Sequence, residues 1–67
     1  MPGMTPEEIK AGLILRKIKQ IDIAAQTGYT TEAVNMVIKG IRKNQKIRKA
    51  IAAALEKPVS EIWPGVA

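Results

Sequence analysis

The sequence predicts an all-α fold, a compact domain of four helices and a short fifth. Three observations carry that prediction. Apolar residues recur at three-to-four spacing, and no segment alternates cleanly with period two. Proline, glycine and capping residues cut the chain into helix-length pieces. The composition, 46% hydrophobic and 25% charged, is that of a globular chain rather than a disordered one. At 67 residues one domain is the ceiling, and roughly 60% of the unfolded surface can be buried.

The elements follow in order. Residues 1–5 are expected to be flexible, as are 65–67, and the domain spans 6–64. Thr5-Pro6-Glu7-Glu8 starts a helix. Thr5 suits the N-cap, Pro6 the first helical position, and Glu8 completes a capping box. Ile9, Leu13, Ile14 and Ile18 carry the apolar periodicity to about Lys17, and Gly12 marks a close approach of another backbone. A second helix covers about Gln20 to Thr27, with Gly28 in the left-handed position after it. Thr30 caps a third, about Thr31 to Lys39, with Val34, Val37 and Ile38 inward and Gly40 at its end. Asn44 caps a fourth, through about Glu56. Its apolar stripe is Ile47, Ala50, Ile51, Ala54 and Leu55, with Lys46, Arg48 and Lys49 facing elsewhere. Pro58 stops it, and a last turn or two from Val59 reaches Trp63, which packs on Leu55 and Ile51. Ile14, Leu15 and Ile21 cannot all be buried with Leu13 and Ile18. An exposed member of that set is either a dimer contact or ordinary scattered surface.

Composition removes whole classes of function. There is no cysteine and no histidine, hence no thiolate nucleophile, no Cys/His zinc site and no imidazole acid–base chemistry. A chain this short has little room for a substrate pocket, so neither an enzyme nor a cofactor is expected, and no small-molecule ligand is evident. No apolar run approaches the roughly 18–20 residues of a membrane span. The N-terminus lacks a basic segment and an apolar stretch of secretory type. The cytoplasm is the expected address.

Charge is the first positive sign. The chain carries +5 in all. Residues 1–38 balance, whereas residues 39–57 hold seven cations against Glu56 alone. Six of those cations fall between Lys39 and Lys49 with no acid among them. Such an excess binds polyanions, DNA or RNA above all, unless it is only a solvated face.

Residues 20–40 add a motif. Two short helices joined by a glycine-containing turn form a helix-turn-helix. Ala24 lies at the helix crossing, where a larger side chain would push the helices apart. Gly28 reverses the backbone without a Cβ clash. Val34 and Val37 pack back on Ile23 and Ala24, with Ile18 beneath. That leaves Thr31, Glu32, Asn35, Met36 and Lys39 outward, placed to enter a major groove.

Gln20, Ala24, Gly28, Val34, Val37 and Gly40 resemble the helix-turn-helix signature of lambda-repressor-like DNA-binding domains. Ala11-Gly12-Leu13, Arg16-Lys17, Gly28-Tyr29, Ile51-Ala52 with Ala54-Leu55, and Ile62-Trp63-Pro64 resemble the phage Ner family of small regulators more closely. The likeness runs over about residues 9 to 64. Two departures stand out: Thr27, where that family usually has a larger apolar residue, and the ending Gly65-Val66-Ala67, which lacks its polar and aromatic tail. The resemblance implies a lambda-repressor-like domain that regulates transcription from double-stranded DNA, as a repressor by operator occupancy. It also implies that Gln20 touches a phosphate.

Individual residues take candidate roles. Thr31, at the start of the third helix, can reach a phosphate, a base edge or a thymine methyl, and the capping Thr30 joins the DNA-binding set. Glu32 either accepts from a cytosine amine or repels wrong sites. Asn35 is the leading base reader, through two hydrogen bonds to adenine, with a solvent-facing residue as the plain alternative. Met36 touches a thymine methyl or roofs the core. Lys39, Arg42, Lys43 and Lys46 hold phosphates. Asn44 and the helix start it caps offer backbone N–H groups to one more. Two copies on half-sites about one helical turn apart, roughly 34 Å, would supply the contacts that one copy lacks. The competing reading is a protein-interaction module on the same scaffold without DNA binding. Binding to a membrane surface through the fourth helix ranks last, because its apolar face is alanine-rich.

Overall fold

The computed structural model describes residues 3–64, and the expectations for residues 1–2 and 65–67 lie outside them. Five helices follow one another: α1 (Pro6–Leu15), α2 (Gln20–Thr27), α3 (Thr31–Ile38), α4 (Gln45–Leu55) and α5 (Val59–Ile62). Among the described residues there is no strand.

Local chemistry explains the helix starts. Thr5 Oγ1 accepts from Glu8 N–H at 3.1 Å and Glu8 Oε1 accepts from Thr5 N–H at 2.8 Å, the expected capping box. Asp22 Oδ2 accepts from Lys19 N–H at 2.9 Å ahead of α2. Thr30 Oγ1 accepts from Ala33 N–H and Asn44 Oδ1 from Ile47 N–H, each at 3.1 Å, so both expected caps form.

One end comes earlier than the periodicity predicts. α1 stops at Leu15 rather than about Lys17, because Lys17 turns left-handed at φ +58°. Ile18 N–H then donates to Leu13 O and Lys17 N–H to Ile14 O, both at 2.9 Å, which is a Schellman closure. A left-handed lysine costs roughly 1–2 kcal/mol. The reversal brings Ile18 against the core. α4 ends at Leu55 with Glu56 as its C-cap, close to the expected end, and Glu56 is left-handed at φ +58°. Gly28 takes the expected left-handed conformation at φ +79°, and Gly40, which ends α3 as expected, is left-handed too at φ +82°.

The core is contributed by all five helices. Ile23, Val34, Val37, Ile47 and Ile51 are fully buried, and Ala24 is buried where α2 packs on α3. Thr27 is buried too, its hydroxyl donating to Ile23 O at 2.9 Å, so the polar group is satisfied inside α2. Of residues 1–5, expected to be loose, Met4 donates its N–H to Ile62 O at 3.2 Å and packs against the core, and Thr5 caps α1.

Two expectations need correction. The close neighbour of Gly12 is a side chain and not a backbone, since a Cβ there would lie 2.8 Å from Leu55 Cδ2. Arg48 does not face outward with Lys46 and Lys49. It is 3% exposed, and its guanidinium lies 5.2 Å from the centre of the Trp63 ring. Trp63 is buried in the same core as Leu55 and Ile51.

Candidate nucleic-acid interface

α2 and α3 form the expected helix-turn-helix. Ala24 O accepts from both Gly28 N–H at 2.9 Å and Tyr29 N–H at 3.2 Å, which closes α2 and starts the turn. Ala33, Val34, Val37 and Ile38 take the inner side of α3. The opposite side carries the predicted readers. Thr31, Glu32 and Lys39 are exposed, while Asn35 and Met36 are half-buried. α3 is short enough that these side chains share one outward strip between its two caps.

The residues around that strip divide into two kinds. Thr30 is exposed but its oxygen already accepts from Ala33 N–H, which leaves the hydroxyl hydrogen free to donate to a phosphate. Asn44 is half-buried with Oδ1 engaged by Ile47 N–H, leaving its amide N–H groups. Gln20, half-buried, opens α2. Arg42, Lys43 and Lys46 are exposed. Met36 O accepts from Ile41 N–H at 3.0 Å and from Arg42 N–H at 3.3 Å. The loop carrying Arg42 is therefore tied to the end of α3.

The run of cations that begins at the end of α3 is uncompensated by ion pairs. Lys39, Arg42, Lys43, Lys46 and Lys49 are all exposed. The one ion pair among the described residues joins Lys57 Nζ to Glu61 Oε2 at 3.3 Å, past the end of α4. No acid neutralises the cations between Lys39 and Lys49. A field of one sign over such a surface attracts polyanions. Arg48 is subtracted from it, because burial against Trp63 keeps its guanidinium from reaching a phosphate. Lys49 and the 71% exposed Ile41 are outward residues that the candidate set omits.

A helix-turn-helix whose second helix is outward and polar, edged by unpaired cations, is a DNA-binding domain in architecture and charge. The sequence model of the family described as winged helix-turn-helix DNA-binding matches residues 3–65. The chain belongs to that family. A β-hairpin wing would need strands, and none occurs among the described residues, so the surface available to DNA here is made of helices and their connecting turns. Comparison with curated proteins and with solved structures gives no match. No helix is long and apolar enough to cross a membrane.

Proposed function

We propose that the protein is a sequence-specific regulator of transcription that binds double-stranded DNA, close to the lambda-repressor-like domains and in particular to the small phage regulators of Ner type. It represses by occupying its operator. α3 enters the major groove. Asn35 reads a base, with Thr31, Glu32 and Met36 beside it. Gln20, Thr30, Lys39, Arg42, Lys43, Asn44 and Lys46 hold the backbone, fixing register without reading sequence. Two copies bind half-sites about one helical turn apart, roughly 34 Å.

One observation carries the reading. The outward strip of α3 ends in exposed Lys39, and the loop tied to that end carries exposed Arg42 and Lys43, with no acid from Lys39 to Lys49. The test is fluorescence anisotropy of a labelled duplex titrated with the protein at several salt concentrations. Expected is a log K that falls linearly with log salt, at about −0.9 per phosphate neutralised. Selection from a random-sequence duplex pool should then return a two-fold symmetric site. A folded protein that binds no duplex at low salt would overturn the proposal in favour of a protein-interaction module.

A further inference from the structure

The charge balance of residues 1–38 hides a segregation. Glu7 and Glu8 sit in the first turn of α1, where Glu8 is engaged in the capping box. Asp22 is engaged by Lys19 N–H. Between Ile9 and Ile21 the charges are Lys10, Arg16, Lys17 and Lys19, with no acid. The left-handed turn at Lys17 folds this stretch around a groove of about 360 Å³. Leu13, Ile14 and Ile18 line it with apolar surface, and Lys10, Lys17 and Lys19 stand on it as cations. Ile14 is 73% exposed; Leu15 and Ile21, outside the groove lining, are 81% and 61% exposed.

Two lysines or two leucines alone would be an ordinary surface. Here Ile14 stays in water on a groove whose charged lining is entirely cationic. Duplex DNA accounts for the cations but has no apolar surface along its backbone to cover Ile14 or Leu15. A second copy of this chain covers the aliphatics but sets four cations against four. A bilayer is both apolar and anionic, yet it is a flat surface that cannot fill a recess between two helices.

We propose that this groove, formed where α1 turns into α2, docks an acidic amphipathic helix of a partner protein. Leucine-like side chains of that helix enter the recess over Leu13 and Ile18. Its carboxylates meet Lys10, Lys17 and Lys19. Charge complementarity chooses the partner's chemistry, and helix-in-groove recognition gives the geometry. Gln20 lines the groove and opens α2. Gln20 is also one of the residues proposed to hold the DNA backbone, so the docked helix shares the edge of the DNA-facing surface.

The test uses the full chain, isotope-labelled for NMR, and a synthetic peptide of about 14 residues with leucine on one helical face and glutamate on the other. Expected are saturable shifts confined to the amides of residues 10–21. A peptide with lysine in place of every glutamate should bind at least about tenfold more weakly. Ile14→Ser, at an exposed position that leaves the core intact, should weaken the glutamate peptide about tenfold. Lys17→Glu should weaken the glutamate peptide and favour the lysine one. The proposal is overturned if the glutamate peptide produces no shifts, or if both peptides bind alike. It is also overturned if sedimentation shows a self-association that Ile14→Ser abolishes, which makes the occupant a second copy. Co-sedimentation with vesicles of phosphatidylglycerol and phosphatidylcholine that depends on Ile14, without peptide binding, assigns the face to a membrane and equally overturns it.

Discussion

Replacing Arg48 by methionine should stabilise the protein. Arg48 is 3% exposed, and its Nε and Nη1 have no hydrogen-bond partner. Each buried unsatisfied donor costs about 1–3 kcal/mol, more when the group is charged. Against this stands the contact with Trp63 at 5.2 Å from the ring centre. A desolvated cation–π pair is worth about 2 kcal/mol. Methionine keeps the apolar stem that fills the space, removes both orphan donors, and places a thioether near the ring, worth about 0.3–1.5 kcal/mol. The balance is a gain of about 1–2 kcal/mol, which for a domain of this size raises Tm by roughly 5–15 °C. Arg48→Ala differs, because it also removes the stem, and should destabilise by about 2 kcal/mol. Urea denaturation of the three proteins measures both changes. Neither substitution should alter the salt slope of DNA binding, since Arg48 is 3% exposed, with Nε and Nη1 fully buried. A methionine variant destabilised by more than about 1 kcal/mol would refute the reasoning, because it would mean that the charge is satisfied in the native state. A flatter salt slope in that variant would refute the placement of Arg48 away from phosphate.

Other outcomes follow from the same geometry. Arg42→Ala and Lys43→Ala should each weaken binding to all duplexes and reduce the salt slope by about 0.9, read by anisotropy at several ionic strengths. Asn35→Ala should leave that slope unchanged while removing about 1–3 kcal/mol of discrimination at one base position, seen by comparing selected and singly altered sites. Gly28→Ala meets no atom within 4 Å, so its cost is the left-handed backbone alone. Chemical denaturation should show a loss of about 1–2 kcal/mol, and Gly28→Asn should lose less.

Much of the site was legible because its determinants are local. The third helix is bounded by Thr30 and Gly40, and both act through atoms a few residues away. Its inward residues, Val34, Val37 and Ile38, are set by helical periodicity, which leaves Thr31, Glu32 and Lys39 outward by elimination. The cationic run is likewise visible in the chain, as is the absence of acids within it. What could not be read there is which cation turns inward. Arg48 looks like its neighbours Lys46 and Lys49 until Trp63, fifteen positions later, supplies a ring to cover it.

The same division runs through the whole molecule. Helix order, the capping residues and the two glycine turns were determined by the sequence itself, because each depends on hydrogen bonds between residues three to five apart. Only the tertiary structure decided the early end of α1, where Lys17 takes a conformation that its own side chain disfavours. It alone set Leu55 against Gly12, joined Met4 to Ile62, buried Arg48, and left Ile14 beside an open groove. Each of these joins segments distant in the chain or depends on the angle at which they meet. Their energies are of packing and desolvation, and no local pattern of residue types encodes them.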